Sequence, residues 1–245
     1  MVPMKSNFMH PAIFMAFFIL TGCSQSEPEG AGAEVSAATS SEQLTSASAF
    51  YRAQHCDAAI ASDPPRAGRV FHYTMSSSDE NQPLMTRAQT IRNVSGDMVN
   101  YDEVLGMGEM SSPPESRQAR LGLLLTASTG RSIRYDGAED AIKGLQPGHT
   151  VKIPMTETLS DSDAAPAQGE AAVTFVGCGV THPTVTGAPG EPVRLYRLKM
   201  PHAAPQAPGQ MTEVTELEIL LSQRYGWPVV ESVSGGTMVL TSVSN

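Results

Sequence analysis

The sequence predicts an all-β fold: a strongly curved antiparallel sheet or half-barrel, carried behind a disordered N-terminal tether. Three observations predict it. From residue 69 onward the chain breaks into strand-length segments that alternate or are rich in β-branched residues, each bounded by turn formers. No segment shows the strand–helix–strand rhythm of a parallel sheet. Glycine (21) and proline (18) are plentiful and charge is only 17%, a composition of turns and short strands rather than long helices.

The elements follow in order. Residues 69–75 (RVFHYTM) alternate well, and 76–83 (SSSDENQP) form a turn cluster. Strands are predicted over 85–94 and 98–104, joined by a tight turn at Ser95-Gly96-Asp97 into a hairpin. Residues 106–116, with Pro113-Pro114, read as a loop; 120–126 and 132–135 read as a second hairpin turned at Ser128-Thr129-Gly130. After Gly144–Gly148 comes a strand over 149–158, an acidic loop over 160–169 and a long apolar strand over 171–180. A strand over 192–200 leads to an irregular loop over 201–209. Three strands close the chain, 213–221, 228–233 and 237–243, the last two turned at Gly235-Gly236. Upstream, 41–61 reads as a short helix carrying Leu44, Phe50 and Cys56. The total is about eight to ten strands, enough for a curved or closed sheet.

Charge narrows the function classes. Lys+Arg is 16 against Asp+Glu 25, a net charge of -9, so there is no basic footprint for nucleic acid. The same acidity disfavours direct binding to anionic lipid surfaces.

The first residues address the chain to a membrane. A short segment containing Lys5 is followed by an apolar run, PAIFMAFFIL, of signal-peptide length; a spanning helix needs about 20 apolar residues. Initiation at Met1 or at Met4 is open, and a start at Met4 gives a tighter signal beginning Met-Lys. The run ends in Leu20-Thr21-Gly22-Cys23, which resembles the lipobox of bacterial lipoproteins. The resemblance implies a signal peptide over 1–22, a diacylglyceryl thioether on Cys23 and acylation of its new amino group. Two or three acyl chains anchor a domain durably where one holds only marginally. Ser24 in place of Asp implies outer-membrane delivery under the enteric-type sorting rule, and cleavage removes Lys5 alone from the charge balance. Residues 23–48 hold Glu27, Glu29, Glu34 and Glu42 with no Lys, Arg or aromatic residue, and are expected to be a flexible tether spanning roughly 25–30 Å. The β-domain then occupies 49–245.

The domain holds a Gly-Asp hairpin within 91–101, a Leu145-Gln-Pro-Gly148 turn, and the pair Gly190-Glu-Pro-Val193 and Tyr225-Gly-Trp-Pro-Val229. Together these three patterns resemble periplasmic domains with the curved half-barrel of outer-membrane lipoprotein carriers. The similarity spans most of 68–243. It implies a fold and a preference for apolar ligands, and brings no catalytic residue.

The chemistry-bearing residues are few. With Cys23 lipidated, Cys56 and Cys178 remain in an oxidising compartment and are expected to form a structural disulfide. His55, His72, His149, His182 and His202 are scattered without metal spacing, although a disulfide would bring His55 and His182 close. No nucleophile elbow, Ser-x-x-Lys or phosphate loop is present, and Asp161-Ser-Asp163 lacks the other ligands of a calcium loop. Trp227, the single tryptophan, reads first as a core anchor and second as the aromatic lip of a ligand groove. Met85, Met98, Met107, Met110, Met155 and Met200 read first as core and second as an adaptable apolar lining.

The expected protein is a non-enzymatic, lipid-anchored outer-membrane protein facing the periplasm, without cofactor or metal, in a structural or interaction role. The alternatives are a binding module cupping a lipid or other apolar ligand, and a hydrolase of unrecognised type.

Overall fold

The structure is a computed structural model that describes residues 46–56, 62–76, 85–160, 165–203, 211–233 and 236–245. The signal segment, Cys23 and the tether as far as residue 45 lie outside the described residues, as do most of the 76–83 turn, Asp161 and Asp163, residues 204–209 and Gly235.

The described strands form one antiparallel sheet. In chain order they are β1 (Tyr51–Gln54), β2 (Val70–Ser76), β3 (Met85–Ser95), β4 (Met98–Met107), β5 (Met110–Ser111), β6 (Glu115–Arg120), β7 (Leu124–Ser128) and β8 (Arg131–Tyr135). A short helix α1 (Ala138–Lys143) precedes β9 (His149–Leu159), β10 (Ala167–Thr181), β11 (Pro192–Ala203), β12 (Met211–Ser222), β13 (Pro228–Val233) and β14 (Gly236–Ser244). Neighbours run β10-β11-β12-β13-β14-β2-β3-β4-β6-β7-β8-β9, and β9 pairs back onto β10. The expected curvature is therefore carried to closure, and a twelve-stranded barrel results. Closure leaves the ring without an open edge. Bulges bend the strands where the wall must turn, between Phe175 and Gly177, Leu220 and Leu221, and Leu240 and Ser242.

Alternation then sorts side chains to the two sides of the wall. Tyr196, Ile219, Glu231, Met238 and Met75 form one cross-strand row on the lumen side. The adjacent row, Leu195, Leu220, Val230 and Val239, faces the other way and is also buried. It is covered by Ala47 and Phe50 of a one-turn 3-10 helix and by Val185 and Ala188 of the β10–β11 connection. Inside, Ile133, Ile153, Met155, Val173, Phe175, Leu198 and Ile219 fill one half. Phe71, Tyr73, Ile91, Tyr101 and Trp227 fill the other.

Several expectations are corrected. The segment 41–61 does not form the predicted helix in its described part: Ala47–Phe50 is a single 3-10 turn and Tyr51–Gln54 is extended. Its physical reason is the long β10, whose last residues run past the end of β9 and take β1 as their partner, Gln54 opposite Cys178. The last residues of the stretch predicted as a tether, 46–48, belong to the fold instead. Ser46 Oγ and the Ser48 amide both donate to Glu218 Oε2. The predicted loop over 106–116 contains the end of β4, β5 and the start of β6. The predicted strand over 120–126 is interrupted by a turn at Leu121–Leu123. Gly122 there has φ 65°, and a Cβ would sit 2.8 Å from the Gly226 carbonyl oxygen. β10 begins at Ala167 and β11 runs to Ala203, so the loops at 160–169 and 201–209 are shorter than predicted. Helix α1 was not foreseen; it buries Ala138 and Ile142 across one end of the barrel.

Candidate functional site

The strand directions give the barrel two unlike ends. At the first, here called the floor, lie α1, the Leu121–Leu123 turn, the Tyr225–Trp227 segment and the disulfide. The second, the mouth, is where β2, β4, β7, β9, β11 and β13 finish and where β3, β6, β8, β10, β12 and β14 begin. The β2–β3, β9–β10, β11–β12 and β13–β14 connections leave from the mouth and lie wholly or partly outside the described residues.

At the floor, lumen-facing positions are packed. Trp227 is 2% exposed, with ring centroids 5.3 Å from Tyr101 and 5.9 Å from Phe71. It is an internal anchor, which removes the reading of Trp227 as a groove lip. Phe175 stacks on Tyr196 at 5.1 Å. Cys56 and Cys178 are bonded, with Cα atoms 5.0 Å apart, so the expected pairing is present.

Toward the mouth the same lumen-facing rows become charged. On β3 and β4 the apolar pair Ile91–Tyr101 is followed by Gln89–Glu103 and then by Arg87–Leu105. Arg87 is 10% exposed; its Nη1 donates to Glu231 Oε2 at 2.5 Å and its guanidinium lies 4.3 Å over the Tyr73 ring. Arg87 Nε is 3.9 Å from Glu103 Oε2, beyond hydrogen-bond reach, and Nε and Nη2 have no hydrogen-bond partner among the described residues. Glu103 accepts from Gln89 Nε2 at 3.0 Å and pairs with Arg117 Nη1 at 3.0 Å. Gln89 Oε1 in turn accepts from the Trp227 indole N–H at 3.0 Å. Arg117 Nη2 donates to Glu115 at 2.8 Å, and Glu115 also accepts the Thr129 amide at 3.1 Å.

Electrostatics fix these charges. Burial works against the Arg87 cation, but Glu231, Tyr73 and Glu103 outweigh it and raise its pKa. Arg117 is likewise raised, burial being overcome by Glu103 and Glu115. Burial pushes the Tyr73 and Tyr101 hydroxyls up, so both stay neutral donors; Tyr73 gives its hydrogen to the Pro228 carbonyl at 2.9 Å. Burial would raise Glu115, and the bonds from Arg117 and Thr129 bring it below its ordinary value instead.

A second charged group stands on β8, β9 and β11. Glu157 Oε1 lies 2.7 Å from Arg131 Nε, off the hydrogen-bond line, and Oε2 accepts the Ala203 amide at 2.7 Å. His202 Nδ1 is 3.4 Å from Arg131 Nη1 and 3.9 Å from Glu157. Together the two groups form a charged collar below the mouth.

Around the collar the lining is methionine. Met75, Met85, Met107, Met155, Met200, Met211 and Met238 all occupy lumen-phase positions in the mouth half. Gly236 makes room for one of them, since a Cβ there would meet Met75 Sδ at 2.9 Å. Lumen-phase Leu105, Met107 and Val233 are exposed, Met107 to 42%. Of the methionines named from the sequence, Met98 starts β4 at the floor and Met110 is 70% exposed on β5, so neither belongs to this lining.

The histidines do not converge: His182 bonds Thr184 and His149 bonds Pro147, and among the described residues no three His, Cys, Asp or Glu side chains form a metal site. Cys23 lies outside the described residues. The collar residues were missed by motif reading. The signal that finds them is phase: Arg87, Glu103 and Glu157 sit at the alternation positions of their apolar neighbours Ile91, Tyr101 and Met155. The chain matches no family model, no curated protein and no solved structure.

Proposed function

We propose that the chain is a lipid-anchored protein of the bacterial cell envelope whose barrel is a non-enzymatic binding module, taking an apolar ligand at its mouth. The observation that carries the binding role is the change along single strands. The lumen-facing row that is packed core at Val99 and Tyr101 continues to exposed Leu105 and Met107. Methionine is unbranched and polarisable, and conforms to more than one apolar shape. A wall that ends in such residues, with a polar collar to fix orientation, has the make-up of a small-molecule site. This geometry favours the binding module over the purely structural role.

The anchor rests on cysteine accounting. The chain has three cysteines; Cys56 and Cys178 are joined, and Cys23 remains, directly behind the apolar run. Acyl chains on it would hold the barrel at a membrane surface, in this reading the periplasmic face of the outer membrane.

The test is native mass spectrometry of the full chain, taken from a diderm host in polymer-bounded membrane discs. The expected result is a co-purifying apolar small molecule that disappears in Leu105→Asp/Met107→Asp. A spectrum with no retained molecule overturns the binding role. Metabolic labelling with an alkynyl fatty acid tests the anchor: label on the wild type and none on Cys23→Ser is expected, and label on both or neither rejects it.

A further inference from the structure

We propose that the Nε/Nη2 edge of Arg87 is the polar anchor of the mouth, and that it receives the uncharged carbonyl oxygen of an acyl ester or amide whose chain lies along the neighbouring methionines. This rests on the reading of the barrel as a binding module and adds the chemical class of its ligand.

The argument starts from the guanidinium. Its Nη1 is committed to Glu231, and its face is held against Tyr73. Those two contacts fix the plane of the group and leave Nε and Nη2, both buried, without a hydrogen-bond partner among the described residues, on a side chain that is nine-tenths buried. Two parallel N–H groups along one edge are a fork built for oxygen. The next arginine of the collar, Arg117, has an unfilled Nε as well. Each oxygen of the carboxylate between them already has a partner: Glu103 has Arg117 on one and Gln89 on the other. The unmet capacity here is for an acceptor.

Charge then decides which acceptor. Arg87 and Arg117 face Glu103, Glu115 and Glu231, so the group already carries one carboxylate in excess. A ligand carboxylate or phosphate adds to that excess and is disfavoured. A ligand cation balances it but leaves the donors unmet. A neutral carbonyl oxygen satisfies the donors without adding charge. The surroundings fit what is attached to such a carbonyl. Leu105 stands directly opposite Arg87, with Met85 and Met107 paired one lumen-facing position nearer the mouth. Met75 stands above Tyr73 on β2.

The site carries its own reporter. Trp227, the sole tryptophan, donates to Gln89, and Gln89 donates to Glu103, which lies beside the unfilled edge. The full chain is reconstituted in vesicles of dialkyl-ether phosphatidylcholine, which offer no carbonyl. It is titrated with monododecanoylglycerol, with its ether analogue dodecylglycerol, and with dodecanoate. The ester is expected to bind at least roughly tenfold tighter than the ether, as one hydrogen bond to a charged group implies, and to shift the Trp227 emission. Arg87→Met is expected to bring the ester-to-ether ratio to unity. Arg87→Lys keeps a charge for Glu231 but has no fork, so its ratio is expected to fall as well; it decides the matter where Arg87→Met does not fold. Equal affinities for ester and ether in the wild type overturn the assignment of Arg87, as does tightest binding of dodecanoate or an ester preference that survives both substitutions. Binding of none of the three overturns the binding-module reading itself, and the Arg87 site falls with it.

Discussion

The floor and the mouth of this barrel are built from the same strands in the same phase, yet they are unlike. At the floor the lumen-facing positions are Phe71, Ile91, Val99, Tyr101 and Trp227, closed over by α1 and the Leu121–Leu123 turn. A few residues further along β2, β3 and β4 they are Met75, Met85, Arg87, Glu103, Leu105 and Met107. A ring of twelve strands is wide, and at the floor large aromatic side chains fill it together with branched aliphatic ones. Where the aromatics stop, filling passes to flexible methionines and to paired charges. Stability is concentrated at one end and adaptability at the other.

That division can be broken from the floor. Trp227→Ala removes the side chain that touches Phe71 and Tyr101 and orphans Gln89, and is expected to cost about 3–5 kcal/mol, read from denaturant unfolding. Cys178→Ser comes next. The disulfide closes a segment of sequence separation 122, and its loss is expected to cost about 2–5 kcal/mol, visible as a lower melting temperature that reductant reproduces in the wild type.

A smaller effect is expected on the outer wall. Burial would raise the Glu218 carboxyl, but hydrogen bonds from Ser46, Arg197 and the Ser48 amide hold it below its ordinary value. Its folded pKa is depressed, so the unfolded chain binds the proton more readily. The stabilisation is therefore present above an unfolded carboxylate pKa of about 4.3 and is lost as pH falls through the folded value. Melting curves below about pH 5 should fall less steeply for Ser46→Ala, which should itself cost about 1 kcal/mol at neutral pH. A parallel pH dependence in variant and wild type would reject this account of Glu218.

The smallest effect belongs to the mouth. Met107→Ser is expected to change stability by no more than about 0.5 kcal/mol, since the side chain is already 42% exposed. A loss comparable to that of Trp227→Ala would mean that the mouth is packed as tightly as the floor, and the contrast drawn between them would be wrong.

The same contrast explains what was legible in the sequence. Strands such as 69–75 and the hairpin at Ser95-Gly96-Asp97 were legible because alternation and turn chemistry are local. Closure was not, because it is decided by the pairing of β9 with β10 and by bulges that no local pattern marks. β1 was misread as helix because only the unpaired end of β10 makes it a strand. The disulfide was reached by counting cysteines. Motif reading passes over the collar, since its members come from seven strands: Arg87, Glu103, Glu115 with Arg117, Arg131, Glu157, His202 and Glu231 meet only once the ring is closed.

The bond between Cys56 and Cys178 has a mechanical consequence. A pull applied to the chain ahead of Ser46 can strip away the 3-10 turn and β1, and it then reaches the sulfur link. Beyond that point tension passes straight into β10, while residues 57–177 stay in a closed loop that force cannot lengthen. Of the twelve ring strands, those from β2 to β9 are thereby kept off the path between the two chain ends. A domain moored by its N-terminus would thus have a built-in stop: drag on the mooring line frays the outer wrapping and leaves most of the ring unstrained.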